Sequence, residues 1–412
     1  MIPSSQKLCR LLERHKSQTQ KGMIMTTSQG SFSLMTCAPA LMLAIACGCA
    51  TRPPLETSAG PGLDALKAKA SEDGKLLWYD ARDLGLEGQG WTDLKRPYDR
   101  FPGRAEGVIP DPVWSLSRHS AGICCRFVTD STTIAARWSL LSDSLAMNHM
   151  PATGVSGVDL YVKQNGQWGW IAVGRPTIQN GNESTLASGI PKGLHEYMLY
   201  LPLYNGTESL EIGIEREAMM AQARPYAGEL AKPMVFWGTS IVHGGCASRP
   251  GMAYPAIVGR RLGRPVINLG FSGNGRMDPE VTALIAELDA SVFVIDCAPN
   301  MKPDLIEERT EPMVKALREA HPDTPIVLVE NVPYQQGWFL EGSRSAYLDK
   351  NATLRAAYHN LAKEGVKNLS LVPCDTLLGS DHEATVDGTH PNDLGFSRMA
   401  DTIEPYIRKA LR

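Results

Sequence analysis

A serine, a glycine-rich turn, an amide and a closely spaced Asp–His pair are the residues of this chain that could do chemistry together. Ser240 lies in the run from Val235 to Gly245, where an apolar stretch ends in a tight turn of small residues. A hydroxyl lifted off a strand end, at the first turn of a helix, gains exposure and the positive end of a helix dipole. Gly273 lies in the turn from Asn268 to Asn274, Asn300 closes the run that starts at Asp296, and Asp387 precedes His390 by three residues. These are the parts that acyl transfer requires. A neutral imidazole, with a pKa near roughly 6.5, is suited to taking the Ser240 proton. Asp387 can hold the other ring nitrogen of His390. Ser240 N–H, Gly273 N–H and the Asn300 amide can meet the developing oxyanion, and each such donor is typically worth roughly 3 kcal/mol.

Each residue also has an ordinary reading. Gly270 and Gly273 alone would be turn glycines, Asn300 a loop cap, Asp387 before Gly388 a turn, and Asp393 a helix cap. It is the order of the blocks, each at or beyond a strand end, that selects the chemistry. His243 competes as the base, but no acidic residue lies close to it in sequence. His243 and Arg249 are instead candidates for contact with substrate, and His382, beside Asp381, for a surface or substrate-loop position. The histidines are scattered, with no His-Glu-x-x-His or paired Cys-x-x-Cys spacing, so no metal site is expected. No phosphate loop or dinucleotide fingerprint appears, so no cofactor is expected either. Of nine cysteines, four lie at or before Cys49, and the odd remainder has no framework spacing. Cys246 and Cys297 are the two near enough to the proposed site to meet.

The elements that must position these residues follow from the patterning. Apolar runs at 234–237, 266–269, 292–295, 326–329 and 369–372 alternate with helical patterns near 252–263, 278–288, 304–320, 345–364 and 393–411. Such alternation predicts an α/β domain, a parallel sheet covered on both faces, with ligands outside the carboxyl ends of its strands. From Leu76 to Arg224 the pattern is strand-like, with runs at 122–129, 133–141 and 158–162. The pairs Asn165-Gly166 and Asn205-Gly206 are hairpin signals, so an antiparallel sandwich is expected. Its aromatics, Trp168, Trp170, Tyr197, Tyr200 and Tyr204, fill a core or line a sugar-binding face.

At 412 residues and 43% hydrophobic, the chain is long enough for two cores. Its net charge of −3, without a long basic run, argues against nucleic acid as a partner. Basic residues from Lys7 to Lys21 precede an uncharged stretch from Phe32 to Ala50, the order of a secretory signal. The run Ala46 to Cys49 resembles a bacterial lipobox, which implies lipidation at Cys49, with Cys47 the alternative, and a membrane partner only through that anchor. The expected divisions are a signal over 1–49, a Pro/Gly/Ala-rich linker over 50–75, a β-sandwich over 76–225 and the α/β domain over 226–412.

The four blocks around Ser240, Gly273, Asn300 and Asp387–His390 resemble those of the SGNH hydrolases, the GDSL esterases and lipases. The likeness spans about 180 residues from Val235 to the C-terminus, and the run from Gly238 to Gly251 resembles a bacterial subgroup with an additional N-terminal β domain. It implies a flavodoxin-like three-layer domain behind a jelly-roll-like sandwich. Two positions depart from the family pattern: Thr239 replaces an aspartate, and Ala298 to Met301 replaces Gly-x-Asn-Asp. The resemblance implies an exported serine esterase acting on short acyl esters, acetyl first, on polysaccharide. Location would be periplasmic, at the cell surface as a lipoprotein, or secreted. A lipid or small-ester hydrolase is the alternative, and a non-catalytic glycan-binding lipoprotein the rival of another class.

Overall fold

The computed structural model describes residues 59–412, so the signal, the lipobox with Cys47 and Cys49, and the start of the expected linker lie outside the described residues. Alternating strands with frequent turns give the N-terminal half two antiparallel sheets. Their strands are β1 Ala59–Gly62, β2 Lys69–Ala70, β3 Leu76–Asp80, β4 Leu86–Glu87, β5 Cys124–Thr129 and β6 Thr133–Leu140. There follow β7 Val158–Gln164, β8 Gln167–Gly174, β9 Asn182–Ser188, β10 His195–Tyr200, β11 Thr207–Glu215 and β12 Met220–Ala223. One sheet runs β1-β12-β5-β10-β7-β8 with β4 beside β5, and the other β2-β3-β11-β6-β9. Alternate residues point inward: Cys125 and Phe127 from one sheet meet Ile134, Ala136 and Trp138 from the other in a common core. Short helices α1 Ala81–Leu84, α2 Asp111–Ser117 and α3 Ala152–Val155 lie in the connections.

Asn165 and Gly166, both at positive φ, make the tight turn between β7 and β8. Asn205-Gly206 does not make a hairpin. It carries the chain from β10 in one sheet to β11 in the other. The Asn205 side chain is buried there, accepting from Ser142 N–H and donating to the Ser142 carbonyl and the Ser156 hydroxyl. The expected linker is likewise shorter than its composition suggests. β1 pairs with β12, and β2 with β3, through backbone bonds that need no large apolar side chains.

The second half is the parallel sheet. Its strands are β13 Met234–Gly238, β14 Val266–Gly270, β15 Val292–Asp296, β16 Ile326–Val329 and β17 Leu369–Val372, in the order β14-β13-β15-β16-β17. The helices are α4 Ser240–His243, α5 Tyr254–Leu262, α6 Pro279–Ile285, α7 Pro303–Ala320, α8 Glu341–Lys363 and α9 Asp393–Ala410. Val235 and Trp237 face α6, α7 and α8, while Met234 and Phe236 face α5 and α9. In α9 the buried residues Phe396, Met399, Ala400, Ile403 and Ile407 recur at helical spacing and form one apolar stripe. This is the flavodoxin-like order, whose switch point lies at the first strand, and β13 is that strand. No helix among the described residues is long and apolar enough to cross a membrane.

The two halves share their interiors. Trp91, Phe101, Ala105, Ile109 and Val113, all ahead of β5, pack into the core on the α6–α8 side of the parallel sheet. Between them Arg100 is completely buried. Its guanidinium donates to the carbonyls of Leu116 and His119 on one side and of Asn268 and Gly270, at the end of β14, on the other. Burial pulls its pKa down to about 9. Arg100→Leu leaves these carbonyls without their donor, and an unsatisfied buried group costs about 1–3 kcal/mol. The expected loss is therefore about 3 kcal/mol or more, read as a lower denaturant midpoint. An unchanged midpoint would show that the guanidinium is not needed to join the halves.

Candidate active site

The turn after β13 places the first candidate. Thr239 is extended and its hydroxyl accepts the Ile241 N–H at 3.2 Å, capping α4. That gives a physical role to the residue that departs from the family pattern. Gly244, at φ +102, ends the helix after four residues. The N–H groups of Gly244 and Gly245 reach back to the Ser240 carbonyl at 3.0 and 2.7 Å, and the Tyr204 hydroxyl donates to it at 3.3 Å. Ser240 is thus gripped by its backbone, and its own N–H, at the first helical position, has no carbonyl one turn earlier in the helix to bond.

The Ser240 hydroxyl lies 2.9 Å from His390 Nε2, and His390 Nδ1 lies 2.7 Å from Asp387 Oδ2. A carboxylate only accepts, so Nδ1 carries the hydrogen and the Nε2 lone pair faces the serine. The other Asp387 oxygen accepts the N–H groups of Thr389 and His390 at 3.0 and 2.8 Å. Burial would raise the Asp387 pKa, but these backbone bonds and the His390 ring hold it below the usual carboxylate range. The loop is braced from behind: Gln335 N–H donates to the Gly388 carbonyl at 2.8 Å, and Thr385 and Pro391 bridge across its base. The Asp393 carboxylate, at the start of α9, accepts the Ser248 N–H at 2.9 Å. It therefore links the α9 end of this loop to the turn after Ser240.

The other two oxyanion candidates lie in the turns after the two strands that flank β13. Gly273 adopts φ +71, and its N–H meets no acceptor among the described residues. Asn300 closes a short turn after β15, where its Oδ1 accepts the Gly275 N–H at 3.3 Å. That bond turns the amide so that its NH₂ is left to donate. Lys350 of α8 donates to the Pro299 carbonyl at 2.9 Å and steadies this turn. Gly275 packs against the nucleophile turn itself, since a Cβ there would lie 2.2 Å from the Gly238 carbonyl. Asp296, at the end of β15, faces the core instead: burial pushes its carboxyl up to about 7, and Tyr254 donates to it at 3.1 Å.

Several sequence-based candidates lie elsewhere. His243 is fully buried, with Nε2 on the Leu203 carbonyl at 2.7 Å and its ring stacked on Tyr204. Burial, with the Arg100 charge nearby, holds it well below the ordinary imidazole range. It is a neutral joint between the halves, closed off from solvent. Arg249 is held in a similar way, paired with Asp159 at 2.9 Å and lying over the Trp170 ring. Cys246 and Cys297 are separate free thiols. The Cys297 thiol points at the Trp237 carbonyl. Burial and then the Asp387 charge push the Cys246 thiol up to about 12, so it remains protonated. His382 stacks on exposed Trp338. Tyr197 and Tyr200 are core residues.

The sequence reading missed Gly275, Lys350 and two neighbours of the loop, His149 and Trp338. Only Gly275 had a signal, as the third glycine of its turn. His149 comes from the sandwich half, yet its ring centroid lies 5.8 Å from that of His390.

A strand-end serine beside an Asp-braced histidine, on this sheet order, defines an SGNH-type acyl hydrolase. Comparison with known proteins agrees. Residues 231–408 match the GDSL-like lipase/acylhydrolase family, and residues 76–220 match the N-terminal domain of SGNH hydrolase-type esterases. The structure is similar to that of a GDSL-like lipase from Bacteroides ovatus, with 38% identity and a TM-score of 0.77, covering 82% of this chain and 98% of that one. It also resembles a salicylyl-acyltransferase from a tetracycline biosynthetic pathway, at 19% identity and a TM-score of 0.62, covering 83% and 96%. At fold level it resembles an active-site mutant of a family two carbohydrate esterase from Clostridium thermocellum, at 13% identity and a TM-score of 0.50, covering 70% and 92%. No curated protein matches the chain. The chain belongs to the GDSL-like lipase/acylhydrolase family and is an esterase.

Gly275→Ala tests the close packing behind the site. The added methyl meets the Gly238 carbonyl, so the loop bearing Gly273 must retreat from Ser240. Displacement by about 1 Å costs on the order of a hundredfold in rate. The expected result is such a fall in kcat with the thermal midpoint largely kept, and wild-type turnover would show that the loop position is unimportant.

Proposed function

We propose that this esterase works through Ser240 as nucleophile, His390 as base and Asp387 as the group that orients His390, removing short acyl groups, acetyl first, from polysaccharide. The observation that carries the reading is the unbroken hydrogen-bond chain from the Ser240 hydroxyl through His390 to Asp387. Ser240 Oγ attacks the ester carbonyl while its proton passes to His390 Nε2. Asp387 stabilises the imidazolium, and Ser240 N–H, Gly273 N–H and the Asn300 amide receive the oxyanion. His390 returns the proton to the leaving alcohol, and water then releases the acid from the acyl-enzyme by the same route. The intact chain argues against a glycan-binding protein without activity.

The substrate class is supported by the setting. The His390 and Asp387 side chains are 25% and 38% exposed, which places the catalytic loop at the surface, where an ester on a bulky polymer can reach it. Trp338, 63% exposed and stacked on His382, stands beside that loop and offers an apolar face to a sugar ring. The exposed neighbours Phe339 and Leu340 favour the second reading, a lipid or small-ester hydrolase. Ser240→Ala is expected to abolish hydrolysis with the fold intact, and turnover near wild type would end the serine mechanism. A panel of acetylated glycans beside p-nitrophenyl esters of rising chain length separates the two substrate classes. Preference for long chains with no release of acetate from any glycan would favour lipid.

The basic-then-apolar leader and the run Ala46 to Cys49 support export with lipidation at Cys49, or at Cys47. Wild type is then expected in the membrane fraction, and Cys49→Ala in altered form. A soluble mature chain beginning well beyond Cys49 would mean a simply cleaved signal.

A further inference from the structure

Two residues that the mechanism above leaves unused, His149 and Cys246, stand against the Asp387–His390 pair. His149, Cys246, Asp387 and His390 each offer one ligand atom, and these four atoms lie within 4.8 Å of one another. We propose that this cluster is a binding site for a zinc-like divalent cation, and that the bound ion reversibly shuts the esterase. The inhibition rests on the serine mechanism proposed above, whereas the binding does not.

The donor set is chemically specific. Two imidazoles, one thiolate and one carboxylate suit a tetrahedral, borderline-soft ion, and Zn²⁺ takes such ligands at about 2.0–2.3 Å. Ligands around such an ion stand about 3.3–3.8 Å apart, so the cluster needs only small side-chain movements to close on it. Three separate segments supply the ligands: the loop between β6 and β7, the turn after α4, and the loop before α9. His149 Nδ1 lies 2.7 Å from Asn148 Oδ1. An amide oxygen only accepts, so Nδ1 carries the hydrogen and the Nε2 lone pair is left for a metal. Cys246 holds its thiol in place from a backbone at φ +75, a conformation rare for a residue other than glycine. The exposed Asp387 carboxylate gives an ion its way in.

Binding exchanges the Cys246 S–H bond for a sulfur–metal bond, and the proton leaves to solvent. No electron moves. The consequence for catalysis does not depend on which His390 nitrogen is taken. An ion on Nε2 occupies the lone pair that must accept the Ser240 proton. An ion on Nδ1 and Asp387 replaces the hydrogen bond that orients the ring. Either way the proton relay stops, and a chelator restores it.

The test uses the metal alone. Co²⁺ titrated into wild-type protein is expected to give a near-ultraviolet thiolate-to-cobalt band that saturates at one ion per chain. The band persists in Ser240→Ala and is lost in Cys246→Ala. Zn²⁺ is expected to inhibit hydrolysis and EDTA to reverse this. Cys246→Ala and His149→Gln keep the basal rate but need at least about tenfold more Zn²⁺ for half-inhibition, and Asn148→Ala shifts it in the same direction, as loss of a supporting partner does. Absence of the band in wild type overturns the site. So does inhibition of Cys246→Ala and His149→Gln at the wild-type Zn²⁺ concentration, which would mean that His390 alone takes the ion. Should Ser240→Ala still hydrolyse esters, the serine mechanism fails, while the cobalt band still decides the metal site.

Discussion

A guanidinium sealed from water and held by backbone carbonyls is the constraint on which the site depends. Moving such an ion into a protein interior costs several kcal/mol, and it is tolerated only where its donors are met. Arg100 meets four backbone carbonyls and lies over the Phe271 ring. Two of those carbonyls belong to Asn268 and Gly270, so the end of β14 is fixed from the N-terminal half. The turn bearing Gly273 begins at the next residue. Its position relative to Ser240 is therefore set by contacts outside the parallel sheet as well as within it.

Close backbone approach does the rest. A Cβ at Gly270 would lie 2.1 Å from His243 N, and one at Gly275 would lie 2.2 Å from the Gly238 carbonyl. The turn bearing the hydroxyl and the turn bearing the N–H donor are thus pressed together along main chain. Main-chain contacts have few alternative rotamers, and for the proposed mechanism that is the condition under which N–H donors stand in place before charge develops.

The sequence was most legible where the physics is local. All five parallel strands and the five longer helices of the second half fall within a few residues of their apolar patterns, because continuous runs buried on both faces admit few other solutions. Ser240, Asp387 and His390 were readable as candidates from their order along strand ends, and the structure brings them into hydrogen-bond contact. What escaped was what depends on partners distant in sequence. Nothing near His243 announces that Leu203 and Tyr204 will enclose it, and nothing near Arg249 announces Asp159. Asn205-Gly206 misled because a hairpin signal assumes that both flanking strands share a sheet. The edge strands before residue 75 were hidden because backbone pairing leaves no mark in composition.

The shared interior has a consequence for how such an enzyme can vary. Trp91, Phe101, Ile109 and Val113 cover one side of the parallel sheet from a position ahead of the sandwich's central strands. The sandwich is accordingly no detachable cassette. A shortened chain beginning near residue 226 would lay bare that side of the sheet and strand the carbonyls that Arg100 serves. Lineages diverging from this architecture must then find new specificity in surface loops, such as the one bearing Trp338, while the junction itself resists recombination.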